Sequence, residues 1–130
     1  MSDSSTTTIF LHIPKTAGTT FHSLLTWMYL GRESFWIPAG DGAGETIKAL
    51  PEDQRDRLEL VRGHLLYGIH DHVSSPARYV TFLRHPVTHV RSQYAYYQRE
   101  CGEGTSWDQP IEDILASDSV RLDNQQTRRI

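Results

Sequence analysis

Short apolar runs that end in polar residues alternate along this chain with stretches whose apolar positions recur at helical spacing. Residues 8–13, T-I-F-L-H-I, are β-branched and apolar enough for a buried strand, and Pro14 ends its pairing. From Thr20 onward, Phe21, Leu24, Leu25 and Met28 fall on one helical face, and Gly31 stands where that helix would stop. Residues 32–45, rich in glycine and aromatics and without a period, read as an irregular connection that covers a ligand. A short helix is expected around 51–58. Residues 58–64 and 78–84 read as second and third strands, the one ending at Gly63 and His64, the other at Arg84. Pro86 occupies a first-turn position where proline is tolerated, and Val90, Tyr94 and Tyr97 continue a helical face to about Glu100. A loop over 101–109, a short helix over 110–116 and a polar helix or turn beginning in 123–130 complete the pattern, which has no internal repeat. Strands alternating with helices predict an α/β fold, a parallel sheet flanked by helices. Ligands of such sheets sit at the strands' carboxyl ends, where Lys15, His64 and Arg84 fall.

A length of 130 residues suits one domain, taken as residues 9–130 behind a disordered, polar N-terminal tail of residues 1–8. The net charge of −3 argues against a nucleic-acid partner gripped through a generally basic surface, so any anion site must be local. Cys101 is the only cysteine, which excludes an internal disulfide framework and a zinc site of several thiolates. The most apolar window, F-H-S-L-L-T-W-M-Y-L, is shorter than the ~20 residues of a membrane span. With no secretory signal pattern at the start, a cytoplasmic protein is expected.

Two segments carry chemistry. In P-K-T-A-G-T-T, the helix start at Gly18, Thr19 and Thr20 offers unpaired backbone N–H groups to a phosphate, and Lys15 offers a neutralising charge. The order differs from the G-x-x-x-x-G-K-S/T loop of nucleoside triphosphatases, because Lys15 precedes the glycine. An ordinary β-to-α turn would also use these residues. In L-R-H-P-V-T-H-V-R-S-Q-Y-A-Y-Y, Arg84 leaves a strand as a planar donor, and Ser92 lies about two helical turns on, with Arg91 adjacent.

Together, F-L-H-I-P-K-T-A-G-T-T-F, the later T-F-L-R-H-P-V-T-H-V-R-S-Q-Y-A-Y-Y, R-G-H between them and D-N-Q-Q-T-R after them resemble the sulfotransferase family that includes heparan sulfate 2-O-sulfotransferases and their bacterial relatives. The resemblance covers most of the chain from Ile9. It implies a parallel α/β sheet similar to P-loop nucleotide kinases and a donor, 3′-phosphoadenosine 5′-phosphosulfate. It further implies that Pro14, Lys15, Thr16, Ala17, Gly18, Thr19 and Thr20 hold the 5′-phosphosulfate, that Arg84 and Ser92 hold the 3′-phosphate, and that no metal is needed. The chain departs from the family pattern after the motif arginine, with His85 in place of an acidic residue and His89 in place of a second arginine; Arg91 is a candidate substitute cation. Family members usually continue past a segment like D-N-Q-Q-T-R-R-I, so a C-terminally incomplete domain is one expectation.

An acceptor hydroxyl must lose its proton as it attacks sulfur, and a histidine with an unperturbed pKa near ~6.5 suits that task. The resemblance gives this role to His64 of the R-G-H segment and the charge-stabilising role to Lys15. It also implies that Arg128 meets an anionic, carbohydrate-like acceptor. His70, Asp71 and His72 define no standard metal site, and the tyrosines at 94, 96 and 97 carry no adenine assignment. The expected activity is sulfuryl transfer from the nucleotide to a hydroxyl, probed by changing Lys15 or His64. Its rivals are a nucleotide kinase-like phosphoryl transferase and a nucleotide-binding module without catalysis.

Overall fold

A computed structural model describes residues 6–38, 42–117 and 126–130. The order is β1 (Thr7–Leu11), α1 (Gly18–Met28), β2 (Ser34–Ile37), α2 (Ala43–Lys48), α3 (Glu52–Arg55), β3 (Leu60–Gly63), β4 (Ala77–Thr81), α4 (Pro86–Cys101) and α5 (Ile111–Ala116), with 3-10 turns at Ile69–His72 and Thr127–Arg129. Among the described residues the strands form one all-parallel sheet in the order β2-β3-β1-β4. The fold is therefore α/β, as the alternating pattern predicts.

β1 is buried along its whole length, as a central parallel strand must be when both its faces are covered. Successive side chains point to opposite faces. Ile9 and Leu11 pack with Ile37, Ile47, Val61 and Leu65 on one side, while Phe10 packs with Leu25 and Leu60 on the other. A buried isoleucine of this kind is worth about 2–5 kcal/mol against alanine, so β1 is a firm base for the turn that follows it.

Four boundaries differ from the expectation. Thr7, assigned to the tail, joins Thr8 in β1, which ends at Leu11 and not at Ile13, and the Thr7 hydroxyl donates to the Leu58 carbonyl at 2.7 Å; residues 1–5 lie outside the described set. Ser34–Ile37, read as irregular, pairs with β3 as an edge strand. Ala43–Lys48 is a helix whose Ile47 is fully buried. β4 stops at Thr81, where the hydroxyl donates to the Leu11 carbonyl at 2.8 Å, so Arg84 stands in the β4–α4 turn and not on a strand.

α4 opens on Pro86, and its Val90, Tyr94 and Tyr97 pack on Trp107 and Ile114 as a separate small core. Among the described residues no helix is long and apolar enough to cross a membrane.

Candidate functional site

The sharp turn after β1 is built around two residues in the left-handed region, Lys15 at φ 65° and Ala17 at φ 68°. Neither is glycine, so this conformation costs about 1–3 kcal/mol per residue and persists only where the surroundings impose it. Three contacts do so. The Thr16 hydroxyl donates to the Ile13 carbonyl at 2.7 Å, the His89 Nε2–H donates to the Pro14 carbonyl at 2.8 Å, and the Arg84 guanidinium donates to the Lys15 carbonyl at 3.1 Å. The last two come from the second strand-turn-helix unit and lock the two units together.

α1 begins directly on this turn. Its start carries no side-chain cap and no acidic residue in the first turn, which leaves backbone donors pointing at the strands' carboxyl edge. Gly18 is required there: a Cβ would collide with the His12 ring.

A cavity of about 860 Å³ opens at this edge. Pro14, Lys15, Thr16, Ala17, Gly18 and Thr19 form one wall; Leu83, Arg84, Ser92 and Gln93 form another, with Tyr96 and Tyr97 beside them. His12, His64 and Arg129 close the end. The lining thus includes the cations Lys15, Arg84 and Arg129 and no carboxylate among the described residues, in a chain whose net charge is −3. Such a cleft concentrates positive field where an anion would sit. The Lys15 ammonium stands over the Tyr96 ring, 4.7 Å from its centre.

The geometry brings together most of the residues singled out in the sequence. Pro14 through Thr19, His64, Arg84 and Ser92 share the cavity. Thr20 and Arg91 are exposed and lie outside its lining, and the Thr16 hydroxyl is committed to the turn, so Thr16 would offer its backbone only. Arg128 is also exposed and outside the lining; Arg129 takes the inward position, with a guanidinium N–H within 3.4 Å of the Leu65 carbonyl. His89, where the resembling family has an arginine, holds the Pro14 turn and is buried. His85 precedes the first residue of α4 and accepts at its carbonyl from the His89 N–H. His70 is taken up by Tyr79, whose phenol accepts the Gly68 and His70 N–H groups and lies 3.0 Å from His70 Nδ1.

His12, Gln93 and Arg129 escaped the sequence reading, and Tyr96 and Tyr97, which carried no assignment there, line the cavity too. His12, one residue past β1, continues the Phe10 side of the strand by alternation, and that signal was available. Its ring stacks on His64, centres 4.7 Å apart at 24°. Nothing local separates Arg129 from Arg128. The Arg129 segment is fastened by Gln126, whose amide brackets Arg84, accepting its N–H at 2.7 Å and donating to its carbonyl at 2.8 Å.

Burial, the neighbouring His64, His22 and the Arg129 charge push the His12 pKa down from 6.5 to about 4. Burial, and then Arg129, hold His64 below 6.5 as well, partly offset by a hydrogen bond to the His12 backbone. Both imidazoles are therefore neutral at pH 7, the form that takes up a proton.

No family model, curated protein or solved structure matches this chain.

Proposed function

We propose that the protein is a sulfotransferase that moves a sulfuryl group from 3′-phosphoadenosine 5′-phosphosulfate to a hydroxyl of a carbohydrate-like acceptor. The observation that carries this reading is the meeting of the Lys15 turn, Arg84, Ser92 and His64 around one cationic cavity. A donor with phosphate at both its 5′ and 3′ positions needs two anion subsites, and the two strand-turn-helix units supply one each.

In this reading the Pro14–Thr19 wall and the start of α1 hold the 5′ group, and Arg84 with Ser92 holds the 3′-phosphate. His64 accepts the acceptor's proton while the acceptor oxygen bonds to sulfur and the bond between sulfur and the 5′-phosphate oxygen breaks. Lys15 and the α1 N–H groups balance the charge that develops on the leaving phosphate, an electrostatic contribution that needs no reorganisation at the moment of transfer. Arg129, beside His64, faces the acceptor end with a charge suited to an acidic sugar.

Calorimetric titration with adenosine 3′,5′-bisphosphate and with ATP, each with and without magnesium, tests the reading. Bisphosphate binding that is selective, independent of magnesium and weakened at least tenfold in Arg84→Ala is expected. Preference for ATP with magnesium would indicate a phosphoryl transferase instead, since that chemistry uses a metal to bridge phosphates.

A further inference from the structure

Along β2, Phe35 and Ile37 turn into the Ile9 cluster, and Trp36 points the other way, 42% exposed. Cross-strand register sets Trp36 beside Arg62 and Arg62 beside Phe10, so the indole lies on the α1 side of the sheet. There the His22 ring meets it, centres 4.7 Å apart at 78°, and the His64 ring stands 6.3 Å away at 72°. Tryptophan is highly buried on average, and one that is braced by a neighbour yet open to solvent offers a rigid stacking surface.

We propose that Trp36 is the platform on which a pyranose ring of the acceptor stacks, and that this sugar is acidic. The assignment rests on the sulfotransferase reading above and names its second substrate. The sheet order keeps the two substrates apart: the donor walls follow β1 and β4, whereas His64 follows β3 and Trp36 stands on β2 at the far edge, outside the cavity lining. Trp36 therefore faces the molecule that brings its hydroxyl to His64, not the nucleotide. A pyranose suits such a surface, because its C–H groups meet the negative face of the indole while its hydroxyls stay at the rim. Two cations flank the same end. Arg62 is held against α1 by the Thr26 hydroxyl at 2.6 Å, and Arg129 lines the cavity end with His64. Neither pairs with a carboxylate among the described residues, so an acidic sugar answers charges that a neutral one would leave unmatched.

The test is calorimetric titration, at saturating adenosine 3′,5′-bisphosphate, with an unsulfated tetrasaccharide of alternating glucuronate and N-acetylglucosamine and with a neutral glucose tetrasaccharide. Wild type, Trp36→Ala and Trp36→Phe are compared. The wild type should prefer the acidic sugar. Trp36→Ala should bind it about 5–20-fold more weakly, as expected for one lost aromatic stack, and Trp36→Phe should recover most of the affinity. Bisphosphate affinity should be the same in all three proteins, which also shows that the variants fold. Undiminished sugar affinity in Trp36→Ala would overturn the platform. So would a Trp36 indole N–H resonance that does not shift when the acidic tetrasaccharide is added to the wild type, a measurement that decides even if the variants fail to fold. Equal wild-type affinity for the neutral sugar would overturn the acidic acceptor. A wild type that binds the bisphosphate but neither sugar overturns this inference alone, and one that binds no bisphosphate overturns the donor-site reading itself.

Discussion

His64 stacks on the His12 ring, and its burial, and then the Arg129 charge, decide which protonation state it holds. Partial burial, and then the nearby cation, disfavour the imidazolium, so the ring stays a free base at neutral pH. In the proposed reaction this gives a sharp separation of roles. Replacing His64 with alanine should lower turnover by about 10²–10⁴-fold, the usual worth of a positioned base, while bisphosphate affinity stays within a few-fold. Replacing Lys15 should lower both, because its ammonium lies on the donor wall. Turnover and calorimetry on the two variants check this; retained turnover in both would remove the assignment. The acid limb of the wild-type rate profile should break below pH 6.5, following the lowered His64 pKa. At this scale the sequence was informative where chemistry and local geometry coincide, as in Pro14–Thr19. It was silent where one arginine had to be chosen over its neighbour, because that choice depends on the Gln126 clamp on Arg84 across the fold.

Among the elements, the β1–α1 junction is where packing and site meet. The His12 ring occupies the space that a side chain on the first residue of α1 would need, so Gly18 lets the helix start approach the cavity. Gly18→Ala should leave the sheet intact by circular dichroism yet cut bisphosphate affinity at least tenfold, since either the ring or the helix start must move. Unchanged affinity would show that the helix start contributes nothing to the ligand. Gly63 makes the contrasting case. At φ 152°, with a Cβ directed onto the Ile37 backbone, Gly63→Ala should destabilise the whole fold by about 2–5 kcal/mol, read from the urea midpoint. The helices α1 and α4 were legible because their apolar positions recur over 11 and 16 residues, and β1 because Ile9, Phe10 and Leu11 form an unbroken apolar run. β2 and α2 were not: β2 is a four-residue edge strand with only Ile37 buried, and α2 opens after a glycine-rich stretch with Ile47 as its one buried residue. Elements so short are specified by the partners they pack on, here β3 and the Ile9 cluster, and not by their own pattern.

For the molecule as a whole, the buried histidines tie the site to stability. His12 has a folded-state pKa of about 4 against 6.5 when unfolded, and His64 is lowered in the same direction. The unfolded chain therefore binds more protons through this range, and stability rises with pH wherever that holds. The contribution is fully present above about pH 6.5 and is lost as pH falls from 6.5 towards about 4. Most carboxylates of the described chain sit on the exposed surface, so the steepest loss should lie in this histidine window and not below it. Urea midpoints measured from pH 7.5 to 4.5 should fall with decreasing pH in the wild type. They should fall less in His12→Phe, which keeps a ring to stack on Phe10 and His64 but has nothing to protonate. A variant whose midpoint follows the wild-type curve would show that the His12 pair does not govern the acid response. A flatter curve would mean that the packing which keeps the proposed base neutral also limits how far the protein can be acidified before it unfolds.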